Sequence, residues 1–267
     1  MEQEIIFLKL GGSLITEKEK AFTARVDRIQ KIAKEIQTAL KENPRLWLLI
    51  GHGSGSFGHY AAKDAGTRDG VFSIAQWKSF QQVWYAARTL NNIVIEEFNR
   101  VGLPVIALQP SAAITSERHT IRDWNTQPIA QSLNSGLIPV VHGDVIFDEK
   151  LGGVILSTED LFFHLIDQLH PDLILIAGKE KGVYADYPRN KKLISTISLQ
   201  NRDMIIDKIQ PSDAVDVTGG MREKVNLMLA VVEKKTDVQI QIFSGEEDGN
   251  IRRSLCGEQV GTRITVA

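Results

Sequence analysis

The sequence predicts an α/β fold, a three-layer sandwich with helices on both faces of a mostly parallel central sheet. Three observations predict it. Short apolar runs alternate with segments of helical periodicity, glycines stand directly after several of those runs, and 267 residues of ordinary globular composition suffice for one large α/β domain.

The runs Ile5–Leu10, Leu46–Ile50, Val105–Leu108, Ile138–Val141, Leu173–Ala177 and Gln239–Phe243 read as strands, each bounded by Gly, Pro or polar residues. Between the first two, Val26, Ile29, Ala33, Ile36 and Leu40 recur at three- and four-residue spacing, which marks an amphipathic helix ended by Asn43-Pro44. Gln76–Arg100 reads as a long helix, and Leu161–Leu169 and Met221–Lys235 as two more. No repeat or low-complexity linker interrupts the chain, so residues 1–267 form a single domain. Its weakest seam falls near residues 165–172, dividing a lobe 1–165 from a lobe 166–267.

Hydrophobic residues make up 43% and charged residues 24%, which argues against disorder, and the net charge of −2 offers no general field for nucleic acid or an anionic membrane. The single cysteine, Cys256, excludes an internal disulfide and a cysteine-based metal site. No run approaches a membrane-spanning length, and the N-terminus reads as a strand rather than a signal peptide. A cytoplasmic protein is expected.

Open α/β sheets bind ligands beyond the carboxyl ends of their strands. Four segments there carry residues suited to anions. In Lys9-Leu10-Gly11-Gly12-Ser13, the glycines leave N–H groups to face phosphate oxygens and Lys9 can reach the same anion, although an ordinary strand-ending turn has the same look. The run Gly51-His52-Gly53-Ser54-Gly55-Ser56-Phe57-Gly58-His59 precedes a helix expected through Ala61, Ala62 and Ala65. Its four glycines would each weaken a regular element by about 0.5–1 kcal/mol, a cost compatible with close backbone approach to a ligand. His59 would then stand beside the anion as a donor.

His142-Gly143-Asp144 follows a strand, with Ser157-Thr158-Glu159-Asp160 beyond it; these carboxylates could orient lysines or help hold a metal ion. Alternatively, Asp144 starts a turn and the Ser157–Asp160 segment caps a helix. Finally, Asp216-Val217-Thr218-Gly219-Gly220 opens a helix with Lys224 one turn inside it.

The common NTPase phosphate loop, the HExxH metalloprotease signature and the Gly-x-Ser-x-Gly elbow are all absent. Gly53-x-Gly55-x-x-Gly58 matches the dinucleotide fingerprint. The acid-terminated second strand that a dehydrogenase needs does not follow it, since the region after Asp69 reads as loop and then helix.

In order and spacing these blocks, with Lys18, Gln109-Pro110-Ser111 and Gly261-Thr262, resemble the amino acid kinase family and, within it, the isopentenyl phosphate kinases. Fosfomycin kinases are similar in the same blocks. The resemblance implies ATP with Mg²⁺ as phosphoryl donor, a small phosphate acceptor and a homodimer. It implies an acceptor lobe (1–165) and a nucleotide lobe (166–267). Lys9, Gly11, Gly12, Ser13 and Gly55 would surround the ATP phosphates, joined by Lys179, Gly220 and Lys224. Gly53, Ser54, His59 and Thr158 would hold the acceptor phosphate, and Lys18 would steady the phosphoryl group in transfer. Glu159 or Asp160 would orient the lysines. An apolar slot for the acceptor tail would draw on one or two of Phe80, Val83, Trp84 and Ala87, although a plain core stripe accounts better for most of them.

Two departures stand out. Many members have Thr-Asp-Val-Asp-Gly-Val where this chain has Gly178-Lys179-Glu180-Lys181-Gly182-Val183, and Ser54 stands where the group usually has glycine. A kinase of another small phosphate or phosphonate such as fosfomycin, and a noncatalytic anion-binding protein on the same fold, are the competing expectations.

Overall fold

A computed structural model describes residues 3–62, 70–187, 189–207, 209 and 220–267. The chain opens with β1 (Glu4–Leu10), a short α1 (Gly12–Ile15), α2 (Val26–Glu42), β2 (Leu46–His52), α3 (Gly55–Ala62) and the long α4 (Ile74–Arg100). It continues through β3 (Val105–Ala107), a 3-10 turn at Pro110–Ala112, β4 (Ile114–Glu117), β5 (Thr120–Trp124), α5 (Gln127–Asn134), β6 (Ile138–His142), β7 (Asp144–Asp148), β8 (Gly152–Leu156) and α6 (Thr158–Leu169). The last part comprises β9 (Leu173–Gly178), β10 (Val183–Tyr184), β11 (Leu193–Ile194), β12 (Thr196–Ser198), α7 (Arg202–Ile206), α8 (Gly220–Lys234), β13 (Gln239–Ser244), α9 (Asn250–Leu255) and β14 (Thr262–Thr265).

Eight strands form the main sheet in the order β12-β14-β13-β9-β1-β2-β6-β3. Every neighbouring pair is parallel except β13–β14. The central strands β1, β2 and β9 are apolar on both sides, as a doubly covered sheet demands. Along β1, Ile6, Leu8 and Leu10 enter the core beneath α2, α4 and α9, while Phe7 enters the core beneath α6 and α8. Alternation with period two thus feeds two cores from one strand, and the three layers follow. The sheet runs unbroken through the β1–β9 pairing, where the two halves of the sequence meet.

Helix α2 buries Ile29, Ile32, Ala33, Ile36 and Ala39 along one stripe and stops at Asn43, before Pro44. A capping box starts α4: Ser73 Oγ accepts from the Gln76 N–H, and Gln76 Oε1 accepts from the Ser73 N–H.

Three features depart from the sequence reading. A second sheet, ordered β5-β4-β7-β8, branches off after β6. Asp144 therefore begins a strand rather than a turn, because Gly143 lets the chain leave one sheet and enter the other. Helix α3 starts at Gly55, earlier than the alanines suggest, and takes two glycines of the run into itself. Gly58 is required inside it because a Cβ there would meet Ser54 Cβ at 2.6 Å. Ala65, Asp69 and Asp216–Gly219 lie outside the described residues.

Candidate active site

Because β1, β2, β6, β9 and β13 are mutually parallel, their carboxyl ends share one edge, and the first three anion-suited segments gather there. The first two are bound to the frame at their roots. Gly53 N–H donates to Leu10 O (3.0 Å), and Gly11 N–H donates to Ala177 O (2.8 Å). The Gly11 amide is therefore spent within the fold, which corrects the reading that both glycine amides are free. The N–H groups of Gly12, Ser13, Ser54 and Gly55 donate to no group among the described residues.

The two glycine segments press against each other. A Cβ on Gly12 would lie 2.5 Å from Gly55 N, and Gly55 has φ +50°, a conformation that L side chains rarely adopt. Thr16, fully buried, staples them: its hydroxyl donates to Gly12 O (2.8 Å) and accepts from Ser56 N–H (2.9 Å). The sequence reading missed Thr16, since a lone threonine after Leu14-Ile15 carries no signal until the segments are seen to touch. Ser13, Lys18 and His59 are exposed. The His59 ring stands edge-on to Tyr60 on α3.

Lys9, at the end of β1, forms an ion pair with Glu159 in the first turn of α6. Burial opposes the charge of Glu159, but Lys9, with a further contribution from the charge of Lys224 on α8, outweighs it and holds the carboxyl below its ordinary value. Lys9 and Glu159 thus meet from distant parts of the sequence, and the charge of Lys224 reaches Glu159 from a third. Asp160 does something else. Its Oδ2 accepts from both the N–H and the hydroxyl of Ser157 (each 2.7 Å), so Glu159 faces Lys9 and Asp160 closes the capping box that Ser157 opens at the start of α6. Asp160→Ala should lower stability by about 0.5–2 kcal/mol while changing kcat little, which thermal unfolding and steady-state kinetics would check.

Thr158 is buried, and its hydroxyl donates to His52 O (2.7 Å), locking α6 to β2. Beneath this junction the rings of His52 and His142 stack at 5.3 Å. Burial lowers the pKa of both, keeping them neutral. Asp144 is also buried, which raises its pKa, and it accepts from Gln109 and from Ser111 N–H. That carboxylate thus holds the Gln109–Ser111 turn rather than a lysine.

Phe80, Val83 and Ala87 are buried on α4 and Trp84 partly so. Phe80 and Val83 pack with Val71 and Val145 in a small core beside Trp84 and Ile155. Lys179, exposed after β9, accepts from Ser244 Oγ at its carbonyl (3.0 Å). Gly220 opens α8. Among the described residues no three acidic, histidine or cysteine side chains cluster as a metal cage.

A profile described as the amino acid kinase family matches residues 4–244. The chain belongs to the amino acid kinase family. Within the family, it is similar to the isopentenyl phosphate kinase of Methanocaldococcus jannaschii, with 34% identity over 97% of this chain and 98% of that protein. The isopentenyl phosphate kinase of Methanothermobacter thermautotrophicus is 32% identical over 98% of this chain and 99% of that protein. A solved isopentenyl phosphate kinase structure superposes with a TM-score of 0.82 and 30% identity, covering 98% of this chain and 100% of that one. The fold also recurs in an N-acetylglutamate synthase from Neisseria gonorrhoeae, with a TM-score of 0.70 at 16% identity, covering 100% of this chain and 60% of that one.

Proposed function

We propose that this protein transfers the γ-phosphoryl group of ATP to isopentenyl phosphate, forming isopentenyl diphosphate. The observation that carries the chemistry is the pair of interlocked glycine segments, in which the N–H groups of Gly12, Ser13, Ser54 and Gly55 donate to no group among the described residues, beside the Lys9–Glu159 pair. The acceptor follows from relatives that are isopentenyl phosphate kinases along nearly their whole length.

Transfer between two phosphates brings anions together, so the work is positioning and charge compensation. In this reading Glu159 keeps Lys9 extended toward the phosphates of the donor. The amides of Gly12, Ser13 and Gly55 face the same oxygens, with Lys224, Gly220 and Lys179 serving the nucleotide from the C-terminal half. Ser54 and His59 hold the acceptor phosphate, beside a wall built by Gly53 and Thr158, whose N–H and hydroxyl are turned inward to Leu10 O and His52 O, and Lys18 accompanies the phosphoryl group in flight. The acceptor oxygen attacks phosphorus in line as the bond to the ADP oxygen breaks; no phosphoenzyme is needed. Mg²⁺ arrives with the nucleotide as MgATP. This fits the donor set, because Glu159 and Asp160 are engaged elsewhere and phosphates can supply most ligands of that ion.

The tail slot is assigned next to α4, where Phe80, Val83 and Trp84 belong to a small packed core that would form its wall. Ala87 belongs to the same reading. The lobe division (1–165 for the acceptor, 166–267 for the nucleotide), a homodimer and a cytoplasmic location complete the proposal; light scattering would check the assembly.

An acceptor panel tests the function. ATP-dependent turnover should be highest with isopentenyl phosphate, followed by dimethylallyl phosphate, and weak with fosfomycin and nucleoside monophosphates. Turnover of fosfomycin without turnover of either prenyl phosphate would overturn the acceptor assignment while leaving the kinase chemistry intact.

A further inference from the structure

Residues 16–24 form a hairpin that carries Lys18, closed by a bridge between Thr16 and Ala24 and by Glu17 N–H donating to Thr23 O (2.9 Å). Three attachments hold it. Thr16 joins its base to the glycine segments, and Phe22 stands edge-on to Phe57 of α3 with ring centroids 5.8 Å apart. The third attachment is Arg25, just past the bridge.

The Arg25 guanidinium donates to Leu14 O (2.9 Å) and grips Glu246 with both of its terminal nitrogens, Nη2 to Oε2 at 3.0 Å. Arg28 adds a second cation, Nη2 at 3.5 Å from Glu246 Oε2. Glu246 sits in the loop after β13, and that loop is tied to the altered segment after β9. Gly245 N–H donates to Gly178 O (2.9 Å), and Lys181 Nζ lies 2.6 Å from Glu247 Oε1. One carboxylate therefore connects the Lys18 hairpin to the strand ends of the C-terminal half. The pair is partly buried, with side-chain exposures of 21% and 27%, and a two-pronged guanidinium–carboxylate contact is directional as well as attractive. The hydrogen bond with Arg25 holds the Glu246 carboxyl below its ordinary value, so the pair is ionised at neutral pH.

We infer that Glu246 is a positioning residue: through Arg25 it fixes the Lys18 hairpin against the loop after β13, holding Lys18 on the path of the transferred phosphoryl group. This rests on the reading of Lys18 as a group that meets that phosphoryl. The role differs from general stabilisation in one respect. It acts on turnover only while Lys18 is present.

The test is a cycle of four proteins, wild type, Glu246→Gln, Lys18→Met and the double variant, with kcat and both KM values measured at saturating MgATP and isopentenyl phosphate. Glu246→Gln should lower kcat about tenfold and move either KM by no more than about twofold, as expected for a misplaced group that binds neither substrate in the ground state. In the Lys18→Met background the same change should cost no further kcat, because residues acting as a unit are non-additive. An equal loss in both backgrounds, or an unchanged kcat for Glu246→Gln, would overturn the inference. A wild-type kcat in Lys18→Met would instead remove Lys18 from the chemistry and the inference with it, a distinct result. Should Glu246→Gln fail to fold, Arg25→Lys, which keeps the charge but loses the fork, enters the same cycle from the other side.

Discussion

Lys9→Met should lower kcat by about 10²–10³-fold, the loss typical when one charge-stabilising donor is removed from a transition state. The larger consequence is for Glu159. Its carboxyl is nearly buried and owes its charge chiefly to Lys9. Removing the lysine leaves an uncompensated buried anion, a change that costs about 3–5 kcal/mol. The double variant Lys9→Met, Glu159→Gln should recover most of that stability and none of the activity. Thermal unfolding and steady-state kinetics on the three proteins separate the two effects; recovery of activity in the double variant would sink the role assigned to Lys9.

The pH dependence has a definite sign. Glu159 is depressed in the folded state, so its contribution to stability is present above the ordinary carboxylate range and lost as pH falls through the lower folded value. Acid unfolding of wild type should therefore be steeper below that range than acid unfolding of Glu159→Gln, which unfolding midpoints across the acid range would reveal.

His59→Ala should reduce kcat/KM for the acceptor by about 10–100-fold, the value of a hydrogen bond to a charged group. The unfolding midpoint should stay close to wild type, because the side chain is exposed and its described neighbour is Tyr60 at the surface of α3. His59→Gln, which keeps a donor, should retain more activity than His59→Ala. An unchanged kcat/KM in His59→Ala would remove this residue from the acceptor site. ATP KM should respond little in either variant.

Six of the eight strands of the main sheet were legible from the sequence because a doubly covered parallel strand is apolar on both sides, as Ile5–Leu10 and Leu173–Ala177 are, whereas the short polar strands β12 and β14 were not. The second sheet was not. Its strands, such as Ile114-Thr115-Ser116-Glu117, are short and mix polar with apolar residues, and β7 follows β6 after a single glycine, which reads as a turn.

At the site, local chemistry was enough to single out Lys9, the glycine runs and the Ser157–Asp160 helix start. It could not divide Glu159 from Asp160. Both are acids in the first turn of one helix, and only the direction of each side chain in the fold distinguishes the partner of Lys9 from the cap. Nor could it show that Gly11 spends its amide on Ala177, or that Thr16 and Glu246 tie remote segments together.

By itself, then, the sequence determined which segments suit anions and which residues form the apolar strands of the sheet, since propensity, periodicity and glycine content act over a few neighbouring residues. The tertiary structure alone decided which amides stay free, which acid faces Lys9 and what anchors the Lys18 hairpin. Those outcomes are contacts between residues as far apart as Arg25 and Glu246, and no local pattern encodes them.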